Sequence, residues 1–241
     1  MAAREAADVP AQGPPVLNAR STAGLRLPRS FYARPSVEVA RELLGRLLVR
    51  RLPDGTRLVG RIVEAEAYRE DDPASHSYRG RTPRTDVMFG PPGHLYVYFT
   101  YGMHFCMNVV TGADGEGSAV LLRAAEPLEG LAEMARRRGT DIPRLLCAGP
   151  GRLCQAFGVA REHNGIDLVR GSAMRIEVGS PVPDHEVAIG PRVGVNVAVD
   201  RPWRYALRAS RYLSRAAVVA PGKPAAVASR RRPGEPPHGS T

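Results

Sequence analysis

The segment Val63-Glu-Ala-Glu-Ala-Tyr68 carries the residue types of acid–base chemistry at the spacing of a strand. On an extended chain, side chains alternate between faces. Glu64, Glu66 and Tyr68 therefore share one face, and Val63, Ala65 and Ala67 share the other. Two carboxylates and a phenol beside a core are costly unless paired or functional, and one carboxylate could act as general base on a water. The pattern alone favours a plainer account, in which both glutamates pair with arginines on a solvated face. Arg123 ends the apolar run Ala119-Val-Leu-Leu-Arg-Ala124, where a guanidinium needs a carboxylate partner; Glu66 is the one expected.

Two other stretches suit a polyanion. The loop His76-Ser-Tyr-Arg-Gly-Arg-Thr-Pro-Arg84 places Arg79, Arg81 and Arg84 within six residues, as contacts to successive phosphates require. His76 by itself is weak evidence, since a lone histidine is usually structural. In Leu95-Tyr-Val-Tyr-Phe-Thr-Tyr-Gly-Met103, Tyr96 and Tyr98 share a strand face opposite Leu95, Val97 and Phe99. A buried tyrosine stripe accounts for those two. Tyr101, past the strand and beside Gly102, is placed to project at a turn, as side chains that wedge between bases do. Asn108 offers both a donor and an acceptor to a base edge.

The elements expected to position these residues are mixed. Ser36 is expected to cap a helix through Arg51, with Ala40, Leu43, Leu44, Leu47 and Leu48 as its apolar stripe. Strands are expected over Leu58–Tyr68, Leu95–Thr100, Ala119–Ala124, Val193–Val199 and Tyr205–Tyr212. Pro127 opens a helix ending near Gly139, with Leu128, Leu131 and Met134 inward, and Pro150 opens another with Leu153, Ala156 and Phe157. Hairpin-like strand groups with helices between them argue an α+β fold: one mixed domain with an antiparallel sheet core flanked by helices. Residues 1–25 and 216–241, rich in Ala, Pro and Gly, read as disordered tails around a domain at 26–215. The second tail carries a net charge of +3 and suits non-specific attraction to phosphates.

Composition removes several mechanisms. The 241 residues hold 34 basic and 24 acidic side chains, a net +10 that favours a polyanionic partner. Of the basic residues only Lys223 is a lysine, so Schiff-base, Walker-type and pyridoxal chemistry lack an ordered amine. Three cysteines with no CxxC pair, and histidines without ligand spacing, indicate neither a disulfide framework nor a metal site. No apolar run exceeds five residues and no signal peptide is visible, so a cytoplasmic protein without a membrane span is expected.

Taken together the motifs resemble the alkyladenine (3-methyladenine) DNA glycosylase family of the mammalian type, found also in bacteria. The likeness runs in order through Glu64-Ala-Glu-Ala-Tyr68, His76-Ser77, Arg79–Arg84, Leu95–Tyr98, Tyr101–Met103, Phe105–Asn108, Val120–Ala124, Glu126–Gly130, Gly149-Pro150, Leu153–Ala156 and Arg192–Val195. It covers roughly residues 27–213. The resemblance implies that Glu66 is the base deprotonating a water that attacks C1′ of a damaged nucleotide. It implies that Arg123 and the Val195 carbonyl hold that water, and that Tyr68, His76 and Tyr98 enclose the flipped base. Asn108 matches the residue that crowds the 2-amino group of undamaged guanine, and Tyr101 matches the wedge that fills the gap in the duplex. Departures are a stretch one residue shorter between Glu66 and His76, His104 where tyrosine is common, and Asn196 where glycine is common.

A monofunctional enzyme of base-excision repair is therefore expected, acting without cofactor or metal as a monomer on double-stranded DNA containing damaged purines, nucleoid-associated in a bacterium. The alternatives are a non-catalytic module that recognises damaged nucleic acid, without need of Glu66, and a hydrolase of small nucleosides.

Overall fold

A computed structural model describes residues 24–100 and 102–216. Residues 1–23 and 217–241 of the two tails and Tyr101 lie outside the described residues, as does the disorder expected of those tail segments. The elements run α1 (Arg29–Tyr32), α2 (Ser36–Glu42), β1 (Leu47–Arg51), β2 (Arg57–Tyr68), β3 (Leu95–Thr100), β4 (His104–Val110) and β5 (Ala119–Glu129). They continue with α3 (Leu131–Arg138), α4 (Pro143–Leu146), α5 (Pro150–Phe157), β6 (Met174–Glu177), β7 (Val187–Gly190) and β8 (Arg204–Leu207). The fold is mixed α+β, as the strand grouping implies.

The strands form an antiparallel eight-stranded sheet with the order β3-β4-β5-β2-β1-β6. β2 organises it. One edge pairs with β5, while the other is shared: β1 pairs with residues 57–61 and β8 with residues 64–66. Nearly all of β2 is buried, because α2 and α5 supply apolar cover; Val39, Ala40, Leu153 and Phe157 join Ile62, Ala65 and Leu122 in the main core. At about 25 cal/mol per Å² of apolar surface removed from water, such a core is the main stabilising contribution. It gives the strand carrying Glu64, Glu66 and Tyr68 a rigid platform.

Four expected elements differ. The helix from Ser36 stops at Glu42 and Leu47–Arg51 is a strand, because Gly45 (φ +82°) turns the chain and the edge of β2 offers a ladder to Leu47–Arg51. A Cβ at Gly45 would stand 2.4 Å from the Ser180 carbonyl oxygen, so only glycine fits this turn. Ser36 lies inside the helix, after Pro35 at the cap position, and makes no capping hydrogen bond. Pro127 does not open a helix; it stays in β5 opposite Gly60, at a shift in register that tolerates its missing N–H. The helix begins at Leu131 after Gly130 (φ +78°), leaving Leu128 and Leu131 exposed while Met134 is buried. Val193–Val199 is irregular, since the Val193 N–H goes to a side chain and Ala198 has φ +49°. The last strand ends at Leu207, short of Tyr212. No helix among the described residues is long and apolar enough to cross a membrane.

Candidate active site

A cavity of about 500 Å³ opens beside β2, β3, β4 and β5, and Tyr68, His76, Tyr98, Asn108, Arg123 and Val195 all line it. Its floor depends on an irregularity between β2 and β5. Glu64 opposes Ala124 while Ala65 opposes Leu122, so Arg123 is an extra residue in a bulge. A bulged residue leaves the ladder and its side chain is re-aimed. Here the guanidinium turns onto the face of the two glutamates: Arg123 Nε donates to Glu64 Oε1 at 3.0 Å and Nη1 to Glu66 Oε2 at 3.2 Å.

Both carboxylates are completely buried, which corrects the solvated-face account; they do pair with arginine, but in the interior. Glu64 accepts further bonds from Arg204 Nε (2.8 Å), the Ser214 N–H (2.6 Å) and Ser214 Oγ (2.7 Å). Glu66 accepts from the Tyr68 hydroxyl (2.9 Å) and the Val193 N–H (2.7 Å). Tyr68, Arg123 and Val193 all face the cavity, so Glu66 stands directly behind its floor. Burial alone would lower the Arg123 guanidinium, yet Glu66 and Glu64 outweigh it and hold it above its ordinary value. Burial, then the Glu66 charge, pushes the Tyr68 phenol well up, so it acts as a donor.

The rim is aromatic. Tyr96 and Tyr98 stack with centroids 5.6 Å apart, and the His76 ring meets Tyr98 edge-on at 4.5 Å. His76 Nδ1 lies 3.1 Å from the Tyr96 hydroxyl. Although the residue is exposed, desolvation of the ring against these tyrosines, followed by the Arg84 charge, lowers His76 to about 4; it is neutral at pH 7. Burial raises the Tyr98 phenol well above the usual range. Asn108, opposite Tyr96 in β3·β4, donates Nδ2 to the Tyr96 carbonyl at 3.3 Å, which leaves its side-chain carbonyl unused.

The three loop arginines are all exposed but differ in surroundings. Arg84 sits 5.9 Å over the Tyr98 ring, Arg81 pairs with Asp86 at 3.0 Å, and Arg79 has no ion-pair partner among the described residues. Arg192, the first residue of the Arg192–Val195 motif, forms with Asp72 a buried ion pair that the sequence does not indicate. Arg192 also donates to the Ala67 and Ala198 carbonyls and stacks over Tyr68 and Trp203. It thereby ties the loop holding His76 to the segment holding Val193–Val195. Arg204 and Ser214 were equally invisible in sequence, being 140 and 150 residues from Glu64. Cys106, Cys147 and Cys154 are buried free thiols. Among the described residues no group of three or more His, Cys, Asp or Glu is placed to hold a metal.

Residues 30–211 match the family described as Methylpurine-DNA glycosylase (MPG). The chain belongs to this family. Relatives from Carboxydothermus hydrogenoformans, Methanoculleus marisnigri and Burkholderia lata, each provisionally named a 3-methyladenine DNA glycosylase, are 48%, 50% and 50% identical. The alignments cover 78%, 79% and 79% of this chain and 98%, 100% and 92% of theirs. The methylpurine-DNA glycosylase family acts in DNA repair, and its substrate is DNA. The +10 charge agrees with that partner, as do Arg84, which stands over the ring of cavity-lining Tyr98, and Arg152 and Arg215, which line the cavity.

Proposed function

We propose that the protein hydrolyses the N-glycosidic bond of alkylated or deaminated purines in duplex DNA, including 3-methyladenine, 7-methylguanine, hypoxanthine and ethenoadenine. The product is an abasic site. One observation carries this reading: the Glu66 carboxylate lies directly behind the floor of an aromatic-walled cavity with one acceptor site left over. Three donors reach it, and a carboxylate has about four lone-pair sites. A water entering between Arg123 and Val193 takes the fourth, gives its proton to Glu66 and attacks C1′. Arg123 and the Val195 carbonyl orient that water.

A base inside a duplex is out of reach, so the nucleotide is extruded into the cavity. A volume near 500 Å³ lies within the roughly 300–1,000 Å³ typical of small-ligand sites. Tyr98, His76 and Tyr68 enclose the flipped base, and neutral His76 offers both a donor and an acceptor at pH 7. Asn108 crowds the 2-amino group of undamaged guanine, Tyr101 wedges the duplex, and Arg79, Arg81 and Arg84 hold phosphates. Since one chain supplies the whole cavity, a monomer suffices. The one lysine, Lys223, falls outside residues 26–215, so the domain has no lysine for a Schiff-base lyase step and the reaction is monofunctional.

The test is base release from duplexes carrying each lesion, followed with Glu66→Gln. That variant retains damaged-DNA binding and loses release by about 10²–10⁴-fold. Release at the wild-type rate overturns the assignment of the base. Tight binding by the wild type with every lesion left intact supports a non-catalytic recognition module instead.

A further inference from the structure

We propose that Glu64 is a positioning residue of this reaction: it fixes Arg123 and takes up part of its charge, so that Glu66 keeps its strength as a base. The inference rests on the reading of Glu66 as the general base.

The two carboxylates share a face of β2 and an arginine, but their bonding differs. Glu64 accepts four hydrogen bonds, from Arg123 Nε, Arg204 Nε, Ser214 N–H and Ser214 Oγ. Three of these fall on Oε1, two of them from arginines, and the Ser214 N–H reaches Oε2. Glu66 accepts three. The difference is in charge: Glu64 faces two arginines, Arg123 and Arg204, and Glu66 shares only the first, which separates the one that holds from the one that reacts.

Charge completes the argument. Glu64, Glu66, Arg123 and Arg204 form a buried group of two negative and two positive side chains, with exposures of 0, 0, 7 and 5%. A Glu66–Arg123 pair alone would be a closed ion pair, and an opposite charge within ~4–6 Å makes a carboxylate a poor proton acceptor. Glu64 divides the guanidinium's attention: Nε faces Glu64 at 3.0 Å, while Nη1 faces Glu66 at 3.2 Å. Arg204 then keeps Glu64 from standing as an uncompensated charge. The remaining polar groups are Tyr68 on β2, Cys106 on β4, Arg192 over the Tyr68 ring, and the Ser214–Arg215 segment, whose Arg215 carbonyl accepts from Arg204 Nη2 at 2.8 Å. None of these supplies a second negative charge to Arg123. Ser214 and Arg215 also line the cavity, so Glu64 anchors that wall as well.

The test is single-turnover release of 7-methylguanine from duplex DNA as a function of pH, with folding of each variant followed by thermal unfolding. A cationic leaving base needs no acid, and His76 is common to every variant, so the displacement of the acidic limb from the wild type reports the base. Glu64→Gln exposes Glu66 to the whole Arg123 charge: the limb moves to lower pH by about one pH unit and the plateau falls about tenfold. Arg204→Gln leaves Glu64 uncompensated and moves the limb to higher pH. Ser214→Ala removes a neutral partner and leaves the limb in place. A merely structural role for Glu64 cannot give two displacements of opposite sign, and Arg204→Gln carries the test by itself where Glu64→Gln does not fold. Profiles that superimpose on the wild type, or shift in the same direction for both charge variants, overturn the inference. If Glu66→Gln abolishes release while both profiles superimpose, only the role of Glu64 fails. If Glu66→Gln is fully active, the general-base reading itself fails.

Discussion

The floor and the rim of the cavity are built on opposite plans. The floor gathers Glu64 and Glu66 from β2, Arg123 from a bulge in β5, Arg204 from β8 and Ser214 from the last described segment, and nearly every donor and acceptor there is satisfied. The rim is local: Tyr96 and Tyr98 from one strand and His76 and Arg84 from one loop, joined by ring contacts and few hydrogen bonds. A saturated buried network has one low-energy arrangement, because any displacement leaves a charge unpaired. Ring faces tolerate shifts and accept any planar partner. The floor therefore suits chemistry that needs fixed geometry, and the rim suits capture of a flat base.

That contrast predicts separable defects. The largest lies in the floor, where Glu66→Gln costs about 10²–10⁴-fold in release with capture retained, in a single-turnover assay paired with a binding assay. Asp72→Ala leaves Arg192 buried without its partner and lowers stability by ~3–5 kcal/mol, read by urea unfolding; a loss below 1 kcal/mol would mean that the clamp between the two loops is not tight. Tyr98→Leu reverses the first pattern: lesion binding weakens by ~1–3 kcal/mol, the usual range for a base stacked on an aromatic ring, and release from the bound state changes less. Equal losses in binding and release for both variants would erase the distinction between floor and rim.

Smaller effects sharpen it. Arg79→Ala reduces the slope of log affinity against log salt by roughly 0.9, one phosphate contact. Arg81→Ala changes it less, since Asp86 already pairs with that side chain. His76 sets a pH signature on stability. Its folded value near 4 lies below its ordinary 6.5, so the folded state binds fewer protons between the two. Stability is complete above pH 6.5 and declines as pH falls toward 4. In His76→Asn that part of the decline disappears, measured by urea midpoints over the same range.

Alternation in Val63–Tyr68 and Leu95–Thr100 was legible because side-chain direction on a strand follows from chain geometry alone. The helix at Pro150–Phe157 was legible for a similar local reason, a proline at its start and Gly158 (φ +64°) at its end. The segments misread are those where a distant partner decides. Leu47–Arg51 has helical periodicity but adds a ladder to β2, and Val193–Val199 has strand periodicity but spends the Val193 N–H on Glu66.

The sequence by itself determined the reactive groups and their faces, the excess of arginine over lysine, and the order of motifs that relates this chain to the methylpurine-DNA glycosylases. Tertiary structure decided the rest: that the glutamates are interior and not solvated, that Arg123 faces both, and that Arg204 and Ser214 complete the floor. The physical reason is that burial and charge pairing depend on which distant strands close over β2, and the bulge that turns Arg123 exists only as a mismatch between two paired strands.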